Sequence, residues 1–437
     1  MSFLNNRYMK KWFVAAKKAD FEKIGKKFHI TPMTARIIRN RDVIGDEKIR
    51  RYLQGGLEDL YSPWLLYGMK EGISLLRESI AAHEKIRIIG DYDIDGVCAT
   101  YILLTGLKRA GATVDTVIPD RIKDGYGINE QLIDQAKKDG VQLIVTCDNG
   151  IAAYEQIRYA KELGMKVLIT DHHEVPFEEN EEGRKEKLPP AEVIINPKQN
   201  CCTYPWKGLC GGAVAWKVIM ALYEAVGISK EDACVLLEFA AIATVGDIME
   251  LQDENRIIVK EGLKRIHHTK NIGLQSLIEV NGLEKDAIGS FHIGFVLGPC
   301  INAGGRLDTA RRALELFDSK EKGTADRLAG DLKALNDSRK ELTRQGVEDA
   351  VRQVEETAGR SERVLVIYLP DCHESIAGII AGKVKERYYR PTIVLTDAED
   401  GLKGSGRSIP GYHMFEELSK CRELFLSLIH ISEPTRH

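Results

Sequence analysis

The chain has 437 residues, with 62 Lys and Arg against 65 Asp and Glu and a formal net charge of −3. It is long enough for two or three domains, and without a global basic field any nucleic-acid site has to be a local patch. The nine cysteines lack the regular spacing of a disulfide scaffold and no signal-peptide pattern precedes them, while no apolar run approaches membrane-spanning length, so the expectation is a cytoplasmic protein with no membrane role.

Residues 1–80 read as an N-terminal helical region. Lys10, Lys11, Lys17, Lys18, Lys23, Lys26 and Lys27 suit a solvated helical face or, as the sharper alternative, a nucleic-acid arm. TPMTARIIRNR opens a short helix at Thr31, with Pro32 in its first turn.

From Lys85 onward, strand and helix patterns alternate. The spacing predicts strands at Ile86–Gly90, Thr113–Pro119, Gln142–Cys147 and Lys166–Thr170, with helices over Val97–Arg109, Asn129–Lys138 and Ala152–Leu163 between them. That alternation argues for an α/β lobe, a parallel sheet wrapped by helices, and such sheets bind ligands outside the carboxyl ends of their strands.

The first strand, IRIIG, empties into DYDIDG, which places Asp91, Asp93 and Asp95 at alternate positions. Three such carboxylates either surround a cation or splay into water. A calcium loop does not fit, because the residues after Gly96 are VCATYILLTGL and supply no bidentate Glu. The third strand gives Asp148 in VTCDNG, and the fourth gives Asp171, His172, His173 and Glu174 in DHHE. Acidic residues past three separate strands of one sheet edge point to a metal, and neighbouring imidazoles favour manganese over magnesium or calcium.

Glu178–Pro190 reads as a solvated excursion and EVIINPKQ as a further strand. Cys201, Cys202 and Cys210 lack C-x-x-C pairing or suitable His spacing, which argues against zinc. Helices are predicted over Val214–Val226 and Lys230–Thr244, the second running into VGDIMEL, where Asp247 is either a ligand or a turn residue. In GPCINAGGRLDTA, glycines break the helical pattern into a polar turn around Asn302 and Arg306, suited to phosphate or to a plain connection. Lys320–Thr357 reads as a long connecting helix. Beyond it, strand Arg363–Leu369, helix Ile376–Tyr388 and strand Thr392–Thr396 lead to GLKGSGRS. There Ser405, Arg407 and Ser408 either cradle a phosphate or end a hairpin.

The ordered set DYDIDG, CDNG, DHHE and VGDIMEL resembles the DHH phosphoesterase superfamily. With GPCINAGGRLD, the connector and the GSGRS lobe, residues 45–425 resemble its RecJ branch of single-stranded-DNA exonucleases working from a 5′ end. The resemblance implies two Mn²⁺ ions, with Mg²⁺ as the alternative, held by Asp93, Asp95, Asp148, His172 and Asp247, with Asp148 bridging. Asp91 and Asp171 would orient those ligands, and His173 would face the scissile phosphate. Asn302 and Arg306 would hold the DNA backbone, while Arg121, Ser405 and Arg407 would read a 5′ phosphate.

It also implies a helicase and a single-strand-binding protein as partners in repair and recombination, with a monomer as the working unit. The implied layout is a catalytic lobe with helical extension at 81–318, a connecting helix at 319–358, an incomplete substrate-binding lobe at 359–425, and a foreign or frameshifted tail at 426–437. Two departures stand out: Ile89 occupies a position where the family often has His, and no GGH motif follows Tyr412. The runner-up readings are a phosphodiesterase of short oligonucleotides or cyclic dinucleotides, and an inactive DNA-binding fragment.

Overall fold

The computed structural model describes residues 17–120, 127–180, 183–356, 362–398 and 401–425. Arg121, Lys10, Lys11 and the expected tail at 426–437 lie outside them.

The organising element is a parallel sheet of five strands in the order β2-β1-β3-β4-β7, formed by β1 (Lys85–Ile89), β2 (Thr113–Val117), β3 (Leu143–Cys147), β4 (Lys166–Thr170) and β7 (Val193–Ile195). Side chains alternate across it with the period of two that a pleated strand imposes. Ile86, Ile88, Leu143, Val145 and Leu168 join a core with the helices Met69–Ala81, Ile94–Arg109, Gly211–Val226 and Leu237–Gly246. On the opposite face, Ile89, Ile144, Val167 and Ile169 pack on the helices Glu130–Lys138 and Tyr154–Glu162. A parallel sheet covered on both faces is the fold the alternating pattern predicts.

Arg87 interrupts the apolar run of β1, and the fold neutralises it. Its guanidinium donates to Asp115 at 2.7 Å and to Asp139 at 2.8 Å. A second buried charge ties the N-terminal helices to the lobe. Lys217 and Glu254, both without solvent exposure, pair at 2.7 Å. Glu254 also accepts from the Tyr61 N–H and the Tyr204 hydroxyl, each at 2.6 Å. Leaving either charge unpaired at such depth would be strongly destabilising, so the network fixes how the helices dock.

Several boundaries differ from the sequence expectation. The helix expected from Val97 starts at Ile94, because the Asp93 side chain caps it by accepting from the Asp95 and Gly96 N–H groups at 2.9 and 3.0 Å. The acidic loop is thus a helix N-terminus. The helix expected over Lys230–Thr244 divides into Lys230–Val235 and Leu237–Gly246. The excursion at Glu178–Pro190 contains a two-stranded antiparallel ribbon, β5 (Phe177–Asn180) and β6 (Gly183–Glu186).

GPCINAGGRLD is not a glycine-broken turn but the helix Gly298–Leu307. Its glycines serve close approach: a Cβ on Gly305 would lie 2.5 Å from the Tyr92 carbonyl oxygen, and one on Gly298 would lie 3.2 Å from Ile94.

The helix Lys322–Glu356 is 35 residues long, about 50 Å at the usual rise. Ala325, Leu328, Ala329 and Leu332 belong to the catalytic-lobe core, while Ala350 and Val354 belong to the core of a smaller lobe. That lobe carries a three-stranded sheet in the order β10-β9-β8, from β8 (Leu365–Tyr368), β9 (Thr392–Ala398) and β10 (Gly401–Arg407). The helix Glu374–Tyr388 covers one face, against Leu365, Ile367 and Val394. No helix among the described residues is long and apolar enough to cross a membrane.

Candidate metal centre

The carboxyl edge of the parallel sheet gathers the acidic residues. β1 delivers Asp91, Asp93 and Asp95, β3 delivers Asp148, β4 delivers Asp171, His172 and His173, and Asp247 arrives as the C-cap of the helix Leu237–Gly246. Asp148 has φ of 60°, a left-handed conformation that non-glycine residues adopt rarely and that collects at functional sites. Its backbone N–H donates to the Thr170 carbonyl at 3.1 Å, which keeps it in the sheet while the chain turns.

His172 stands at the centre. Its Nε2 lies 3.0 Å from an Asp148 carboxylate oxygen, 3.5 Å from Asp95 and 3.7 Å from Asp247. Candidate ligand atoms of Asp95, His172 and Asp247 lie within 4.8 Å of one another, as do those of Asp91, Asp93 and Asp148, and those of Asp148, His172 and His173.

Electrostatics argue that these groups meet for a cation. Burial, then the charges of Asp95 and Asp93, push the Asp148 carboxyl well above its ordinary range. The same causes raise Asp247 to about 8. Asp95 is raised by burial, although the His172 charge pulls the other way. Burial lowers His172 to about 4, so its imidazole is neutral near pH 7 and offers a lone pair. Its Nδ1 is buried and makes no hydrogen bond. Hard carboxylates around a neutral imidazole form a donor set that fits Mn²⁺ or Mg²⁺ and relieves the mutual repulsion.

Supporting contacts fix the donors. Asp95 is 1% exposed, and its two oxygens accept from the Gly211 and Gly212 N–H groups, each at 2.7 Å. Nothing in the local sequence pattern ties these glycines to Asp95. A Cβ on Gly211 would fall 2.7 Å from the Asp148 Cβ, a crowding no local pattern announces. Asp171 is bonded to its neighbours through both oxygens. One oxygen accepts from the Ile151 N–H at 2.9 Å, and the other meets the His172 N–H and the His173 Nδ1, both at 2.7 Å.

Burial would raise Asp171, but the His173 hydrogen bond and charge outweigh it and hold the carboxyl at about 2. Burial would lower half-exposed His173, but the bond to Asp171 and the surrounding carboxylates raise it to about 9. The His173 ring is therefore cationic near pH 7 in the metal-free site.

The substrate-side residues separate into two groups. The Asn302 oxygen accepts from the Ile94 N–H at 2.7 Å, so this side chain braces the acidic loop. Arg306 reaches across to the smaller lobe, donating to the Ser375 carbonyl at 2.9 Å. Ser405 and Arg407 lie on β10, joined by a 3.3 Å hydrogen bond from the guanidinium to the hydroxyl. A Cβ on Gly378 would come within 2.7 Å of both side chains. The helix Glu374–Tyr388 therefore touches Arg306 at one end and the Ser405–Arg407 pair one turn later.

Residues 85–246 match the DHH family, N-terminal domain. The chain is 35% identical over 416 residues to the single-stranded-DNA-specific exonuclease RecJ of Salmonella typhimurium, covering 92% of this chain and 70% of that protein. The chain belongs to the RecJ family.

The RecJ of Bacillus subtilis is 40% identical over 398 residues, 91% of this chain and 49% of its own length. The chain thus spans about half of that relative. Among solved structures, exonuclease RecJ bound to manganese superposes with a TM-score of 0.73 at 30% identity, covering 84% of this chain and 89% of the other. RecJ from Thermus thermophilus in complex with Mn²⁺ gives 0.77 at 27% identity, covering 93% and 56%. A Mg²⁺ complex of the Thermus protein gives 0.71. Members of the RecJ family therefore bind divalent cations on this fold.

Proposed function

We propose that this chain is a metal-dependent exonuclease that hydrolyses phosphodiester bonds of single-stranded DNA from the 5′ end, in repair and recombination. The observation that carries the reading is the convergence of His172 with Asp95, Asp148 and Asp247 at the carboxyl edge of the sheet. Family membership supports the substrate class.

Asp93, Asp95, Asp148, His172 and Asp247 would hold two divalent cations, with Asp148 shared. Asp91, grouped with Asp93 and Asp148, is close enough to ligate or to orient. When bound, such cations activate water and neutralise charge on phosphoryl oxygens. Asp171 holds the His173 ring through Nδ1, which would leave the opposite ring edge to donate toward the scissile phosphate, where a positioned hydrogen-bond donor stabilises developing negative charge. Asn302 keeps the acidic loop in register with the helix Gly298–Leu307, and Arg306 holds the smaller lobe against it. Arg121, Ser405 and Arg407 would read the terminal phosphate, a task suited to guanidinium groups. The same reading takes a helicase and a single-strand-binding protein as partners, a monomer as the working unit and the cytoplasm as the location.

The test is Mn²⁺-dependent hydrolysis of a 3′-labelled, 5′-phosphorylated single strand beside a duplex and a labelled dinucleotide. Degradation of the long strand alone is expected. Cleavage of the dinucleotide alone would move the assignment to a short-oligonucleotide phosphodiesterase, and loss of all hydrolysis with Mn²⁺ still bound would remove the enzyme reading.

A further inference from the structure

The segment entering the helix Gly298–Leu307 departs from ordinary winding. Ser290–His292 makes one α-helical turn and Ile293–Leu297 is wound as π-helix before the chain continues. Such turns are rare and collect at functional sites. Gly294, Gly298, Asn302 and Gly305 form one row along this segment, facing Val245, Ile94, the Ile94 N–H and the Tyr92 carbonyl in turn. Val245 lies two residues before Asp247, and Ile94 follows Asp93. The row therefore rests on the metal-ligand loops themselves.

Beside that row stand Phe291 and Phe295. They are 63% and 55% exposed, yet their rings are ordered against each other, with centroids 4.9 Å apart and planes 28° from parallel. The His292 ring meets Phe291 edge-on at 5.8 Å. A single exposed Phe is ordinary. The stacked pair spans the α turn and the π turn, with Phe295 next in the chain to Gly294 on the row that packs against Val245, and so presents a flat hydrocarbon surface on the segment that rests on the acidic loops.

We propose that Phe291 and Phe295 form a stacking platform for a nucleobase of the strand whose phosphate is held at the metal centre, an inference that rests on the nuclease reading above. The acidic loops, with their cations, take the charged part of a nucleotide, so the apolar surface beside them meets the uncharged part. Every base offers a π-face, so a platform of this kind grips strands without regard to sequence. Bases in a duplex are already stacked on their neighbours and paired. The platform therefore contributes to preference for single strands as well as to affinity.

The experiment compares binding of a short oligothymidylate and an abasic strand of the same length, by fluorescence anisotropy with Ca²⁺ in place of Mn²⁺. The chain is used whole, as wild type and as the Phe291→Leu/Phe295→Leu variant, which keeps the apolar character but loses the flat rings. The variant is expected to bind oligothymidylate about tenfold more weakly, the scale of one lost base stack. Its affinity for the abasic strand is expected to match wild type, and Phe291→Tyr/Phe295→Tyr is expected to restore oligothymidylate binding. An equal loss on both strands, or none on either, would overturn the platform while leaving the nuclease reading intact. A wild-type chain that holds neither strand overturns both. If the double leucine variant fails to fold by circular dichroism, Phe295→Leu alone carries the same comparison.

Discussion

The two sheets of this molecule solve the same packing problem with opposite degrees of closure. In the catalytic lobe, helices cover both faces of the parallel sheet, so β3 is buried throughout and even Arg87 is drawn into β1 with paired carboxylates. In the smaller lobe, among the described residues, a helix covers one face and leaves the other open. Leu365 and Ile367 on β8 are 1% and 2% exposed, while Val366 and Tyr368, pointing the other way, are 57% and 44% exposed. A sheet buried on both faces holds its carboxyl edge rigid, and that edge carries the candidate metal donors, whose geometry would have to hold within fractions of an ångström. The half-covered sheet carries Ser405 and Arg407, whose proposed task needs reach more than rigidity.

That contrast can be broken most sharply at the metal edge. Asp148→Asn keeps a residue type that tolerates the left-handed backbone but removes the charge. Nuclease activity should fall by more than about 100-fold, beyond what loss of an outer supporting group costs. The Mn²⁺-induced rise in melting temperature should disappear, while the metal-free protein should be no less stable, because burial and the neighbouring carboxylates already disfavour a charge at this position. A metal-free variant that melts well below wild type would contradict the electrostatic account.

The contrast in closure itself predicts a stability difference. Ile88→Ala, in the doubly covered sheet, should cost about 3 kcal/mol in urea denaturation, whereas Val366→Ala on the open face should cost less than about 0.5 kcal/mol. Similar losses at both positions would mean that the second sheet is covered in solution.

A pH-dependent effect lies deep in the catalytic lobe. Burial raises Glu238 to about 8, although the Thr269 hydroxyl, donating at 2.9 Å, partly opposes this. Between its ordinary value of 4.5 and about 8, the folded chain keeps a proton that the unfolded chain releases. Stability from this group is greatest below the lower value and declines as pH rises through the window, by at most about 1.4 kcal/mol per pH unit. Denaturation at two pH values inside the window should show the decline in wild type and a flatter dependence in Glu238→Gln.

How far this was legible in the sequence depended on whether the signal was local. The strands β1, β3 and β4 declared themselves through apolar runs ending in acidic residues, so the sheet and the edge where those residues gather could be placed from pattern alone. Thr31 and Pro32 marked a helix start, and the structure has Thr31 capping Pro32–Asn40 through the Thr34 N–H.

What escaped was long-range. The Gly211 and Gly212 amides meet Asp95 across 116 and 117 positions, and Lys217 finds Glu254 only after two helices pack. The glycines of Gly298–Leu307 misled because the same residue type that breaks helices also permits close contact. Nothing local distinguishes the two uses until the partner surface is known.

The cradle around Asp95 has a consequence in genetic terms. Its orientation is encoded by main-chain amides, so the residue that guards a candidate ligand is a glycine with no chemistry of its own, outside every acidic motif. Gly211→Ala would press a methyl group against Asp148 at 2.7 Å while disturbing the amide that holds Asp95. Two candidate ligands from different strands would be lost together through one silent-looking change. In a collection of missense alleles it would behave like a deletion of the metal site.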